Sequence, residues 1–286
     1  MDYFGNFGAN KLMNVFNPRV SLFFLFVLPL LVKAQTPDKT AAEPAAESPA
    51  ELAKKLANPI ASLISVPFQN NTDYGIGTYR GTRNTMNFQP VIPFKLSPNL
   101  NLITRYIIPI VTQYDITGQN SKQSGLGDAT VSAFFSPSNG KSGLTWGAGP
   151  AFSVPTATDQ TLGSGKFGVG PTIVILQQTK GITYGLLANQ IWSVAGQSDR
   201  SNVSQMFLQP FFTYNWKSGA GIGASGEISQ NWISKTTVAN VIIPVSAVTK
   251  IGKQIVSLAV GPRIPVSSPA KADWGWRAQL VLIFPK

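Results

Sequence analysis

The chain contains no cysteine and no histidine, and only 12% of its 286 residues are charged. Without cysteine there is no disulfide framework, no thiolate nucleophile and no cysteine-based zinc or iron–sulfur site. Without histidine the commonest general base and the commonest metal ligand are both missing. Ordinary soluble domains carry about 25% charged residues, so half the expected surface charge is absent. The chain is nevertheless 43% hydrophobic, with 26 Gly and 21 Pro, and its mean hydropathy stays near zero at +0.08. Apolar and uncharged polar residues must therefore be finely interleaved.

One continuous apolar run is present. Residues 20–32 are almost wholly apolar and follow Lys11 and Arg19. At 13 residues the run is too short to cross a hydrocarbon core of about 30 Å as a helix. Val32-Lys33-Ala34 then places small or aliphatic residues where a signal peptidase reads, so cleavage is expected before Gln35. Residues 1–34 are read as a signal peptide, with an uncleaved anchor as the alternative and Met13 as an alternative start to Met1. Cleavage removes three basic residues and one acidic one, which leaves 20 against 11 and a mature charge of +9. The Lys and Arg residues are scattered singly, apart from Lys54-Lys55, so no nucleic-acid partner is expected. An exported basic protein is instead matched to anionic lipid and lipopolysaccharide.

Residues 35–58 read as a periplasmic linker. From Gln35 to Pro49 its Ala, Pro, Glu and Thr content cannot bury enough apolar surface to fold. Ser48-Pro-Ala-Glu51 is a capping-box signature with Pro49 at the first helical position. It opens a short helix, carrying Leu52 and Leu56, that Asn58-Pro59 ends. A solvated spacer is expected here over a periplasmic plug.

From residue 59 to 286 the period becomes two. Met206, Leu208, Pro210, Phe212, Tyr214 and Trp216 share one face, and Phe207, Gln209, Phe211, Thr213 and Asn215 the other. Similar alternation gives twelve segments, near 60–71, 82–96, 100–113, 126–136, 143–155, 166–178, 182–194, 203–216, 220–232, 238–249, 254–265 and 274–284. Their length suits tilted strands crossing a bilayer, and several apolar faces end in Trp or Tyr, as an interfacial girdle requires. Short connections alternate with longer polar ones, except at 233–237. The expected fold is an all-β, antiparallel, up-and-down transmembrane barrel of about twelve strands in the bacterial outer membrane. A secreted β-sandwich is the competing architecture, but its strands are shorter and its outward faces charged. Pro90, Pro109, Pro210 and Pro244 sit awkwardly inside strands, because each removes a ladder hydrogen bond.

Catalysis is not expected, nor is any cofactor or metal. There is no His, and no two acidic residues lie closer than four positions apart. Gly163-Ser-Gly165 with Gly168 and Gly170 lacks the Gly-Lys-Ser/Thr ending of a phosphate loop, and barrel bends or close strand approach account for it. What remains is a lumen. Charge on a lipid face costs about 2–4 kcal/mol at the midplane, so charges within strands should point inward. The candidate solute path comprises Arg83, Lys95, Arg105, Asp128, Phe207, Phe211, Glu227, Arg263 and Arg277. Basic residues outnumber the two acids there, which gives either an anion-attracting interior or structural pairing of Asp128 and Glu227 with arginines. With Phe207, Phe211, Val281 and Ile283 also inward, the interior suits small apolar or aromatic solutes.

Gly125-Leu-Gly-Asp128, Gly147-Ala-Gly-Pro150, Pro155-Thr-Ala-Thr-Asp159, Leu162-Gly-Ser-Gly165 and Gly170-Pro171 occur in that order along the chain. Gln209-Pro210, Tyr214-Asn215, Asn231-Trp232, Ile243-Pro244 and the closing Trp274-Gly-Trp-Arg277 follow. Together they resemble the outer-membrane barrels assigned to transport or to the meta-cleavage pathway of phenol degradation. The resemblance runs from about Pro59 to Lys286 and implies a barrel for uptake or efflux of small solutes, aromatic ones among them. It also implies insertion by the barrel-assembly machinery, although the chain ends Phe284-Pro-Lys286 rather than on an aromatic residue. It supplies no catalytic residues. The alternative function is a non-transporting surface protein whose loops bind a ligand or partner.

Overall fold

The computed structural model describes residues 47–138 and 143–284. The expected signal peptide, both candidate start residues and most of the linker lie outside the described residues.

One helix precedes fifteen strand segments. Helix α1 (Pro49–Leu56) begins with the capping box read from the sequence: the Ser48 hydroxyl accepts from the Glu51 amide, and the Glu51 carboxylate accepts from the Ser48 amide. The strands are β1 (Ile64–Ile76), β2 (Gly81–Phe88), β3 (Val91–Ser97), β4 (Leu100–Tyr114) and β5 (Lys122–Leu126). They continue with β6 (Ala129–Pro137), β7 (Leu144–Val154), β8 (Lys166–Gln178), β9 (Ile182–Gly196) and β10 (Ser204–Asn215). The last are β11 (Ala220–Asn231), β12 (Thr236–Ile242), β13 (Val245–Ile251), β14 (Gln254–Ser267) and β15 (Trp274–Phe284).

Three pairs of segments are halves of single staves. β2 and β3 are separated at Gln89-Pro90, β5 and β6 at Gly127-Asp128, and β12 and β13 at Ile243-Pro244. That leaves twelve antiparallel staves, each paired with its neighbours in the sequence. The last closes on the first, in a register running from Ile64 opposite Phe284 to Tyr74 opposite Trp274. The result is the expected closed barrel. Where the observed strands differ from the expected segments, they are mostly longer at the end bearing the long loops. β1 reaches Ile76 and β9 reaches Gly196.

The prolines now have a place. Pro90 and Pro244 sit in the stave interruptions, and Pro109 lies across from the one at Gly127-Asp128. Each still offers its carbonyl: Pro90 accepts from the Tyr106 amide, Pro109 from Gly127 and Pro244 from Gly223. Pro210 falls where the β10–β11 ladder skips from Leu208–Ile228 to Phe211–Ser225. The missing donors thus coincide with places where the ladder is already broken, as an uninterrupted strand would not allow.

The outer wall is apolar. Ile173, Val245, Leu258 and Val260 are exposed on it between the stave ends. Aromatic residues mark both edges of this band. Trp146, Tyr184, Tyr214 and Trp216 lie toward the short turns, and Tyr114, Trp192, Trp232 and Trp274 toward the long loops. Trp274 stacks on Tyr74 at 4.5 Å between ring centroids. A water-facing wall would carry charge in the same positions; an apolar band between two aromatic belts is the surface a bilayer selects.

Ile173, at the middle of β8, is half exposed on this wall. Ile173→Arg is expected to destabilise the barrel in lipid vesicles by about 2–4 kcal/mol, and Val194→Arg near the loop end by about 0–1 kcal/mol. Denaturant unfolding followed by tryptophan emission checks this; equal costs at both depths would contradict the lipid-facing assignment.

Candidate functional site: the barrel lumen

Alternate residues of every stave point inward, so the lumen is built from the polar half of each strand pattern. Two stacked cavities of about 280 and 290 Å³ occupy it. Both are lined by Gln69, Gln89, Arg105, Gln209 and Arg277, a polar layer between the chambers. The first chamber also touches Ala53, Leu56, Ala57 and Pro59 and so lies against α1. The second reaches Val203, Gln205 and Ser153 toward the long-loop mouth.

Charge in the lumen forms a chain of contacts. Arg263 donates to Asp73 from Nε, at 3.0 Å to Oδ1, and to Glu227 Oε2 from Nη1 at 2.8 Å. Arg277 donates to Glu227 Oε1 from Nη2 at 2.8 Å and to Asn71 Oδ1 from Nε at 2.6 Å. Glu227 therefore holds one arginine on each oxygen. Among the described residues, Arg83 donates to the amide oxygen of Gln113, at 2.9 Å, and Arg105 to that of Gln89, at 3.1 Å. Among the described residues no carboxylate lies within ion-pair distance of either. Four guanidinium groups against Asp73 and Glu227 leave this region with a formal +2.

Opposite this layer the lumen is apolar. Ile60, Ile103, Phe134, Val174, Leu176 and Leu187 form a buried cluster against which Phe207 and Phe211 pack. A second cluster closes the short-turn end: Leu52 of α1 is buried against Leu63, Val281 and Ile283. The helix is tied there by Gln178, whose Nε2 donates to the Lys54 carbonyl at 2.7 Å. Pro49 lies so near Gly219 that a Cβ at Gly219 would fall 2.6 Å from it. Leu52 is thus packed against the barrel, where the sequence reading expected a solvated spacer. A repeating apolar face one turn long gave no signal strong enough to reveal its docking partner.

Two of the expected path residues lie elsewhere. Asp128 faces the 155–165 loop, where its carboxylate accepts from the amide and hydroxyl of Ser164 at 2.6 and 2.7 Å and from the Ala157 amide at 3.3 Å. Among the described residues it pairs with no arginine. Instead Arg200 donates to the carbonyls of Gln160, Gly163 and Ser164 on the same loop. The hydroxyl of Thr161, with its amide, holds the Asp159 carboxyl below the usual carboxylate range. Lys95 is exposed at the short-turn rim, outside both cavities. Asp73 takes the structural role expected of Asp128. It was missed because residues 72–81 read as loop, whereas β1 continues through Ile76. Asn71, Gln89 and Gln113 were missed because an uncharged amide facing a lumen is indistinguishable in sequence from one facing solvent.

No protein-family model matches the chain, and no curated protein matches its sequence. The fold is similar to that of an outer membrane channel from Pseudomonas putida F1. The TM-score is 0.63 and the identity 14%, over 85% of this chain and 100% of that one. The β domain of the Bordetella autotransporter BrkA shares 10% identity over 78% of this chain and 100% of its own, with a TM-score of 0.44. At such identities the likeness to the Pseudomonas channel is one of fold.

Glu227→Gln leaves Arg263 and Arg277 without their shared carboxylate and raises the local charge. It is expected to destabilise the barrel by about 3 kcal/mol, the low end for a buried ion pair losing one member. Guanidinium unfolding in detergent micelles measures this, and an unchanged midpoint would mean the network is not structural.

Proposed function

We propose that the protein is a channel of the bacterial outer membrane that passes small solutes. The carrying observation is a closed barrel with a lipid-adapted wall around a lumen holding two cavities and a network of arginines, not a solid core. A barrel built only as a scaffold would fill that space with packed side chains and leave no chambers. The Pseudomonas channel, whose fold is similar, is described as an outer membrane channel, which agrees with this reading. Export by the N-terminal signal peptide, insertion by the barrel-assembly machinery and contact with lipopolysaccharide belong to the same proposal. The phenylalanines of the lumen support solutes with an aromatic or hydrophobic part, as does the family resemblance. No step requires a catalytic group; passage needs only contacts weak enough to leave.

In this reading α1 is the closure at the short-turn mouth. Purified protein in planar bilayers should give discrete conductance steps, and liposomes containing it should swell in small solutes. Leu52→Glu places a charge in the seat formed by Leu63, Val281 and Ile283 and is expected to raise the open fraction at least several-fold, because an unpaired buried carboxylate disfavours the docked helix. Absence of conductance and swelling in both the native chain and the variant would overturn the channel.

A further inference from the structure

The lumen is two-sided in chemistry as well as in shape. Every charge of the arginine–carboxylate network lies on seven adjacent staves, from β11 through the β15–β1 seam to β4. The other five, from β5–β6 through β10, carry no inward charge at this height and supply Phe134, Leu187, Phe207 and Phe211. Arg105 faces that apolar arc from the charged one and lines both chambers.

Its state differs from that of its neighbours. Arg263 and Arg277 are each engaged by a carboxylate, whereas Arg105 donates to one neutral amide oxygen, that of Gln89. A guanidinium has five N–H donors in a planar fork suited to a carboxylate. Most of that capacity in Arg105 is directed to the space between the chambers, in a layer whose other members are amides and the already-engaged Arg277. Asp73 and Glu227 are each held by Arg263 or Arg277, so among the described residues the layer has no free carboxylate to repel an incoming anion.

Resting on the channel reading, which it deepens, we infer that the solutes are small organic monocarboxylates with an apolar body. The carboxylate docks on Arg105 at the boundary between the chambers, and the body lies against Phe207 and Phe211. Phe207 lines the chamber of about 290 Å³ and Phe211 that of about 280 Å³, so a molecule held at the boundary has room on either side. A cation is rejected by the net positive layer, and a neutral alcohol of the same shape forfeits the charged contact. Phosphate or chloride would find Arg105 but not the apolar arc.

The test uses the full mature chain with hexanoate as probe, set against hexanol and acetate. In detergent solution, calorimetric titration should show hexanoate binding at least about tenfold more tightly than either, the difference expected for one charge-assisted hydrogen bond or a few buried methylenes. Arg105→Gln, which retains a hydrogen-bonding partner for Gln89, should lose about tenfold in hexanoate affinity and leave hexanol unchanged. Phe211→Ala should weaken hexanoate and not acetate. Retention of the heat-modifiable, compact gel form shows that each variant is folded. Equal binding of hexanoate and hexanol, or unchanged hexanoate affinity in folded Arg105→Gln, overturns the inference. In bilayers hexanoate should slow the chloride current at lower concentration than acetate does. A barrel that conducts but ignores hexanoate overturns this inference and leaves the channel standing. A barrel that binds hexanoate through Arg105 and passes no solute overturns the channel and leaves the site.

Discussion

The constraint on which the rest depends is closure. Inside a bilayer no water is available to satisfy a free amide or carbonyl, and each unpaired group costs several kcal/mol. A sheet in that solvent must have no edge. The pairing of β1 with β15 over eleven residues removes it, and the side-chain pattern follows from that closure. Once the wall is continuous, one face of every strand meets lipid and the other meets the lumen, so alternate residues are under opposite selection. The low charge content is the consequence: half of each strand has no place for a charge.

The same constraint explains the arginine network. Charges excluded from the wall have only the lumen, and there they must be hydrated, paired or both. Glu227 and Asp73 gather Arg263 and Arg277 across four different strands, β11, β1, β14 and β15. The contacts therefore brace the region around the closing seam. Such a network does not need to add net stability over an apolar substitute. It makes a polar interior compatible with a closed wall.

Most of the architecture was legible because it rests on a local periodicity. Two of the twelve expected segments, 166–178 and 274–284, coincide with β8 and β15, and Phe207 and Phe211 were assigned inward from alternation alone. What could not be read depends on contacts between residues far apart in the chain. Asp128 and Glu227 look equivalent in sequence, each an acid within a strand segment. Only the folded chain shows Asp128 beside Ser164, 36 positions away, and Glu227 beside Arg277. The docking of α1 was hidden for the same reason, since its seat is assembled from Leu63, Val281 and Ile283. The order of motifs from Gly125 to Gly165 does have a spatial meaning: Gly127, Asp128, Thr156, Ala157, Gly163 and Ser164 meet at one point of the long-loop mouth.

Helix α1 ends at Leu56 and β1 begins at Ile64, so the helix is joined to the wall by a link of a few residues. A helix displaced from its seat cannot diffuse away. Its local concentration at the mouth stays on the millimolar scale typical of short linkers, whatever the abundance of the protein. Return is thus a first-order event of the single molecule.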